Sequence, residues 1–459
     1  MTVKMPMAAA RSSLTRRSWL AGAAHTGIAG AALTLAACGG PTGAGDARQP
    51  ATKKDVVVRV TARQAQEADM WPIRIPAFNT QYPNIKAEPD LHAGDIIEKT
   101  AALIAANQLG DLAHTHFSNA QPQRLYLGKS MRELDSLIAK DKLDIKQWYP
   151  MAIEAGRLDG KTFALPFKGK MAATVIFINQ SMFEQAGIKL PDLNTTLADL
   201  TEMATKLTRP DGSQWGMAST LPKGDSQHVA AIRRHNAETM SKDHKKATLD
   251  TAEARAAWGW WYEAFHKRKF MDPAANVVDL FAAGKAGILM GQDVSQQKSR
   301  IHPASISQGF KYTATLVPKG PTGRRGGSWV PDAMQLSSQS PNPDEAWMLL
   351  KWLTDKETGI ALAAQKSPGV STTAGARPDV YNDPRFLNHE LFPKILQELD
   401  RDSNVLPEVF QLPANYKIPE FNAALGKAVD QVWKNEAEPT PSFMKNLNDE
   451  IQNVLNLPM

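Results

Sequence analysis

The chain predicts an α/β fold with parallel strands and more than one domain, and three observations carry that expectation. From about residue 55, short β-branched or apolar runs alternate with stretches of helical periodicity, the pattern of strands joined by crossover helices. Residues 172–178 (AATVIFI) form a nearly unbroken apolar run, as a strand buried on both faces requires. The length, 459 residues, sets a prior of two or three domains, and 42% hydrophobic with 22% charged residues is enough for a globular core.

The elements follow in order. Residues 56–60 (VVVRV) read as a first strand, and a helical stretch covers about 70–81, made irregular by Pro72 and Pro76. Residues 85–91 read as a second strand. Ile97, Ala101 and Ile104 recur at helical spacing and predict a helix over 95–107, followed by a third strand over 112–117. Leu197, Leu200, Ala204 and Leu207 share one helical face. Asn342 as N-cap, Pro343 at the first helical position and Glu345 predict another helix, with Ala346, Leu349, Leu350 and Leu353 as its buried stripe. Trp258, Trp261, Tyr262 and Phe265 fall at helical spacing, a core or interface stripe. Past residue 375, helical patches stand at 391–399 and 421–433.

Composition excludes several classes of function. Cys38 is the one cysteine, so neither an intrachain disulfide nor a cysteine-rich zinc site can form. Of the net charge of +6, Lys4, Arg11, Arg16 and Arg17 supply four before residue 38, where no acid stands. The remainder is too small for a generic phosphate-backbone binder, so nucleic acid is not expected as a partner.

Residues 1–37 read as an export signal: a twin-arginine pattern at Arg16-Arg17, then a weak Ala/Gly-rich apolar run. The run ends at Leu35-Ala36-Ala37-Cys38-Gly39, which resembles the lipobox of bacterial lipoproteins and marks Cys38 for lipidation. The Gly/Pro-rich stretch 38–54 suits a flexible tether. The expectation is a body outside the cytoplasm, periplasmic or at the cell surface, held to a membrane through Cys38.

Four segments of the body together resemble the family 1 extracellular solute-binding proteins of bacterial ABC importers, the group of maltose- and other sugar-binding proteins. They are residues 104–117 (IAANQLGDLAHTHF), residues 159–188 with DGKTFALP and MFEQAGI, residues 281–291 (FAAGKAGILMG), and residues 316–371 with GGSW and TDKETG. The resemblance implies a two-lobe periplasmic-binding-protein fold, type II-like, with three hinge crossings. It implies one lobe of 55–170 plus 316–355 and a second of 171–315 plus 356–459. It further implies a monomer that closes on a solute in the cleft and delivers it to an ABC importer permease, with no cofactor.

A carbohydrate site needs aromatic plates and planar hydrogen-bonding groups, clustered outside the carboxyl ends of strands. After the first strand the chain offers Gln64, Glu67 and Trp71; after the third, Phe117 and Ser118. Phe167 follows Leu165-Pro166, Trp215 precedes Gly216, and Gln292 follows Gly291. Ser328 and Trp329 follow a glycine pair that permits close backbone approach, and the resemblance places ligand contacts there. Within the same fold a polyol, a glycerol phosphodiester or a small peptide are alternatives to a sugar, and Lys168, Lys170 and Arg377 keep an anionic solute in view if they face the cleft. His114 and His116 point to one side of a strand as two metal ligands would, but no carboxylate accompanies them in sequence, so no metal site is expected. The competing class is a lipid-anchored hydrolase using Glu67 and Asp332 as an acid/base pair.

Overall fold

The computed structural model describes residues 55–459 apart from 65–66, 94–95, 173, 220, 222, 224, 273–276, 292–300, 302–308, 368–369, 371–372, 374, 404–409 and 435. The expected export signal, Cys38, the tether and Gln292 lie outside the described residues. The strands are β1 Val56–Arg63, β2 Ile85–His92, β3 Leu112–His116, β4 Arg157–Leu158, β5 Lys161–Thr162, β6 Leu165–Ala172, β7 Val175–Asn179, β8 Trp215–Ser219, β9 Ala286–Met290, β10 Tyr312–Leu316 and β11 Ser328–Leu336.

Nine of them build two α/β layers, while β4 and β5 pair with each other as a separate two-stranded antiparallel sheet. The first sheet has the order β2-β1-β3-β11-β6 and the second β10-β7-β9-β8. Pairs β1–β2, β1–β3 and β8–β9 are parallel, whereas β11 runs against both β3 and β6, and β7 runs against β9 and β10. The sheets are therefore mixed rather than wholly parallel. The chain leaves the first sheet along β6 and re-enters it along β11, and a strand that returns from the far layer arrives in the opposite direction.

The apolar run at 172–178 is divided between the layers. β6 ends at Ala172 and β7 begins at Val175, so the run carries the chain from one sheet to the other. β7 is buried at all five positions, as its composition predicts.

The first sheet packs on helix Trp71–Gln81, whose Trp71, Ile75 and Phe78 enter the core. Pro72 sits in that helix's first turn, where the missing N–H costs nothing, and Pro76 lies inside it. Helix Pro343–Leu353 buries its predicted stripe plus Trp347. Asn342 occupies the N-cap position without capping; its side-chain amide instead donates to the Val57 carbonyl at 3.3 Å. The predicted third strand stops one residue early, because Phe117 starts a 3₁₀ turn.

Residues after 355 were expected to join the second layer, but the structure packs 356–387 on the first. Ile360, Leu362, Val380, Tyr381 and Phe386 share a core with β1 and Trp71. Arg74 ties this segment down: its guanidinium donates to Thr358 Oγ1 at 2.9 Å, pairs with Asp355 at 2.6 Å and lies 4.1 Å from the Trp352 ring. The passage to the second layer falls after Leu387, since Phe392, Leu396 and Leu399 pack with Val175, Phe177 and Phe281.

The other face of the second sheet carries helix Leu197–Leu207, opened by a capping box between Thr196 and Asp199. Helices Ala252–Tyr262, Ile418–Trp433 and Pro441–Leu455 form a further apolar cluster. The aromatic stripe divides between cores: Trp258 enters this cluster, while Trp261 and Phe265 stack near the second sheet. Sequence periodicity had not singled out helix 441–455. No helix among the described residues is long and apolar enough to cross a membrane.

Candidate functional site

β3 reads Leu-Ala-His-Thr-His, and strand alternation sends His114 and His116 to the same face. In the register, Asp332 of β11 stands opposite His116, and Lys168 of β6 stands opposite Asp332. Three strands thus deliver an imidazole, a carboxylate and an ammonium in one row near the carboxyl end of the first sheet. Arg63, the last residue of β1, and Glu67, in the turn after it, complete the group.

The group is dense in charge and nearly dry. Glu67 is 0% exposed, Lys168 2% and Asp332 4%. Lys168 Nζ pairs with Glu67 and lies 3.1 Å from Asp332 Oδ2. Arg63 reaches Glu67 at 3.2 Å and Asp332 at 3.8 Å. His116 Nδ1 lies 2.8 Å from Asp332 Oδ1, and His114 Nε2 3.6 Å from Oδ2. Phe167 closes one side, its ring 5.1 Å from that of His114.

Charges buried this way survive only by pairing. Burial works against the Glu67 charge, but Lys168 and Arg63 outweigh it and hold its carboxyl at about 2. Burial likewise opposes the Asp332 charge, and His116 and Lys168 bring its carboxyl well below the usual range. Burial pushes the His116 imidazole down to about 4 against the pull of Asp332, so it is neutral at neutral pH. Both carboxyls are thus drawn toward the ionised form by the cations they pair with, and nothing in this arrangement supports the hydrolase expectation.

The same group leaves polar atoms unsatisfied. Arg63 Nε, Glu67 Oε2, both ring nitrogens of His114, His116 Nε2 and the neighbouring Trp71 Nε1 are buried without a hydrogen-bond partner. Each such group costs about 1–3 kcal/mol, and native structures keep few of them. They are gathered at the carboxyl end of the first sheet.

Among the other sequence-derived candidates, Gln64 is exposed at the end of β1 and Ser118 is half-buried beside the β3 turn. Phe117 is buried with its ring 6.4 Å from Phe410. Ser328 is buried with Oγ unpartnered. Trp329 is 1% exposed, in the first-layer core beside Tyr149. The glycine pair before it does bring backbones together, but the partner is the chain itself: Gly326 has φ +70, and a Cβ there would stand 2.4 Å from the Ala230 carbonyl oxygen. Trp215 begins β8, at the end opposite Ser219 and away from the carboxyl end. Glu67 and Phe167 are brought together around His114 and Lys168, and Trp71 shares the first-layer core with Phe167.

Sequence reasoning gave Arg63 no role and left His114, His116, Lys168 and Asp332 in separate hypotheses. One signal was available. Asp332 is the single charge in SWVPDAMQL, a strand buried at all nine positions, and a lone carboxylate there needs partners. A separate open cavity of about 430 Å³ is lined by Gln123, Glu154, Arg157, Asp243, His244 and Tyr416 among others.

Comparison with known proteins follows the fold. Residues 74–388 match the family model described as bacterial extracellular solute-binding protein. A binding protein of Brucella abortus is 27% identical over 208 residues, 44% of this chain and 48% of that protein. The chain thus spans about half the length of that curated relative. The mannitol-binding protein of Pseudomonas aeruginosa is 24% identical over 292 residues, 60% of this chain and 64% of its own. Among solved structures, an ABC substrate-binding protein of Listeria monocytogenes in complex with cycloalternan superposes with a TM-score of 0.72 at 17% identity, covering 87% of this chain and 99% of that one. A solute-binding protein of Agrobacterium vitis with bound D-mannitol gives 0.62 at 18% identity, covering 87% and 97%. These likenesses establish the two-lobe periplasmic-binding-protein fold, and with the match over 74–388 the chain belongs to the bacterial extracellular solute-binding protein family.

Proposed function

We propose that this protein captures a neutral polyhydroxylated solute, a sugar or sugar alcohol, and delivers it to an ABC importer from a lipid anchor at Cys38. The observation that carries the reading is the set of unpaired buried polar atoms at the carboxyl end of the first sheet. Vicinal hydroxyls both donate and accept, which suits a mixture of an open carboxylate oxygen, imidazole nitrogens and an indole N–H. The cations of the group are already matched by Glu67 and Asp332, so an anionic solute gains little there. The mannitol-binding relative points the same way.

In this reading the first lobe comprises 55–170 and 328–387 and the second 175–316 with 391–403 and 418–455, following the shared cores. Gln64, Ser118 and the partly exposed His116 are the first-lobe contacts, with Trp71, Phe117, Phe167, Ser328 and Trp329 forming the floor behind them. Trp215 and Gln292 are the second-lobe candidates. Closure is a hinge motion favoured by the solute's better fit to the closed form.

The test is thermal unfolding of the purified protein against mannitol, ribitol, mono- and oligosaccharides, glycerophosphocholine and short peptides. A solute at about 100 times its dissociation constant stabilises the fold by roughly 2.7 kcal/mol, a shift of several degrees. A rise with one sugar or polyol class supports the reading. A rise with the phosphodiester or peptides alone overturns it.

A further inference from the structure

We propose that His114, His116 and Asp332 form a binding site for a first-row transition-metal dication of the zinc type. Each offers one ligand atom, and the three atoms lie within 4.8 Å of one another. The pair that sequence alone left without a carboxylate receives one from β11, more than 200 residues away, through direct register with His116. Zinc holds imidazole nitrogen and carboxylate oxygen at about 2.0–2.2 Å in a tetrahedral shell, which sets ligand atoms about 3.4 Å from one another. His114 Nε2 stands 3.6 Å from Asp332 Oδ2, close to that spacing, while His116 Nδ1, 2.8 Å from Oδ1, must draw back slightly to admit the ion.

Two further observations favour an ion. Both nitrogens of His114, which is fully buried, lack a partner, as does His116 Nε2, so the rings have ligand capacity to spare. The donor set of two imidazoles and one carboxylate selects zinc, nickel, cobalt or ferrous ions over magnesium and calcium, which demand oxygen cages. Three protein ligands leave a position open for water or for a hydroxyl of a bound solute.

Lys168 and Arg63 oppose the ion, lying 3.1 Å and 3.8 Å from Asp332 Oδ2. Glu67 is the answer to both. It already pairs with each, and its Oε2 accepts from nothing else, so it can keep the two cations while Asp332 turns to the metal. The site therefore binds with moderate affinity, tunable through Lys168.

The experiment is titration of the full chain, stripped with chelator, with Zn²⁺ by calorimetry and with Co²⁺ by visible absorption. Cys38→Ser serves as background to remove the thiol. The expected result is one ion per chain, no response to Mg²⁺, and at least tenfold weaker binding in both His114→Ala and His116→Ala. His92→Ala, at a neighbouring imidazole 3.0 Å from Asp90, leaves affinity unchanged. Where His114→Ala fails to fold, His116→Gln at the more exposed ring reads the same loss. Absence of Zn²⁺ binding, or binding that survives the His116 variants, overturns the proposal.

Discussion

Lys168 stands opposite Asp332 across the β6–β11 pair, with its ammonium 3.1 Å from Asp332 Oδ2 and in contact with Glu67 as well. One buried cation thus serves two buried carboxylates supplied by a turn and a strand far apart in the chain. Arg63 reinforces it from the rim. The arrangement ties the turn after β1 to the two strands along which the chain passes between layers.

Replacing Lys168 by Met leaves Glu67 and Asp332 buried with only Arg63 between them. Breaking a buried ion pair from one side costs about 3–5 kcal/mol, and that loss is expected here in urea unfolding. Lys168→Arg keeps the charge and should cost clearly less. Equal losses for the two variants would mean that shape, rather than charge, holds the group together.

Gly169→Ala should destabilise through a single clash. A Cβ there would stand 2.1 Å from Trp329 Cζ2, in a core where Trp329 is 1% exposed and has little room to retreat. Overpacking of this kind costs about 1–3 kcal/mol. In Trp329→Phe, which removes the six-membered part of the indole, the same Gly169→Ala change should cost little. Urea midpoints of the four chains form the double-mutant cycle that checks it.

His228 gives a pH dependence of definite sign. It is buried, accepts from the Trp258 indole N–H at 3.1 Å, and burial pushes its imidazole down to about 3. Above about 6.5, the ordinary histidine value, the ring is neutral in both states and contributes no slope. As pH falls from 6.5 towards 3 the unfolded chain takes up a proton that the folded chain refuses, and stability drops by up to about 1.4 kcal/mol per pH unit. His228→Gln, which preserves an acceptor, should flatten the stability profile in that window.

Thr196→Ala should cost about 1 kcal/mol. Its hydroxyl accepts from the Asp199 N–H at 3.2 Å, and the change removes that half of the capping box while the Thr196 backbone N–H keeps donating to the Asp199 carboxylate at 3.0 Å.

Much of the architecture is legible along the chain. The periodicity of Leu197, Leu200, Ala204 and Leu207 marks a real helix, and β1, β2 and β3 fall where β-branched or apolar runs predict them. These signals are local, since a buried face repeats every two or 3.6 residues wherever it packs. Residues 172–178 show where local reading stops. Their apolarity reports burial but not which sheet supplies it, so one run divides between two. The segment 356–387 misled for the same reason, because its composition does not say which core it enters. Among site residues, Glu67 and Phe167 stand in the buried group, whereas Trp329, favoured for its glycines, is held in the first-layer core. An aromatic that plates a ligand and one that fills a core are the same residue in sequence.

From residue types and order alone follow the α/β class, the positions of most elements and the candidate export signal with its single cysteine, and the resemblance of four segments adds the solute-binding family. Each depends on neighbours in the chain or on motifs a few residues long. Only the tertiary structure decided that His116, Asp332 and Lys168 form one row, and that Glu67 and Arg63 close it. Strand register sets that meeting, and register is a relation between segments up to about 200 residues apart, fixed by the packing of both layers and written in none of the segments separately.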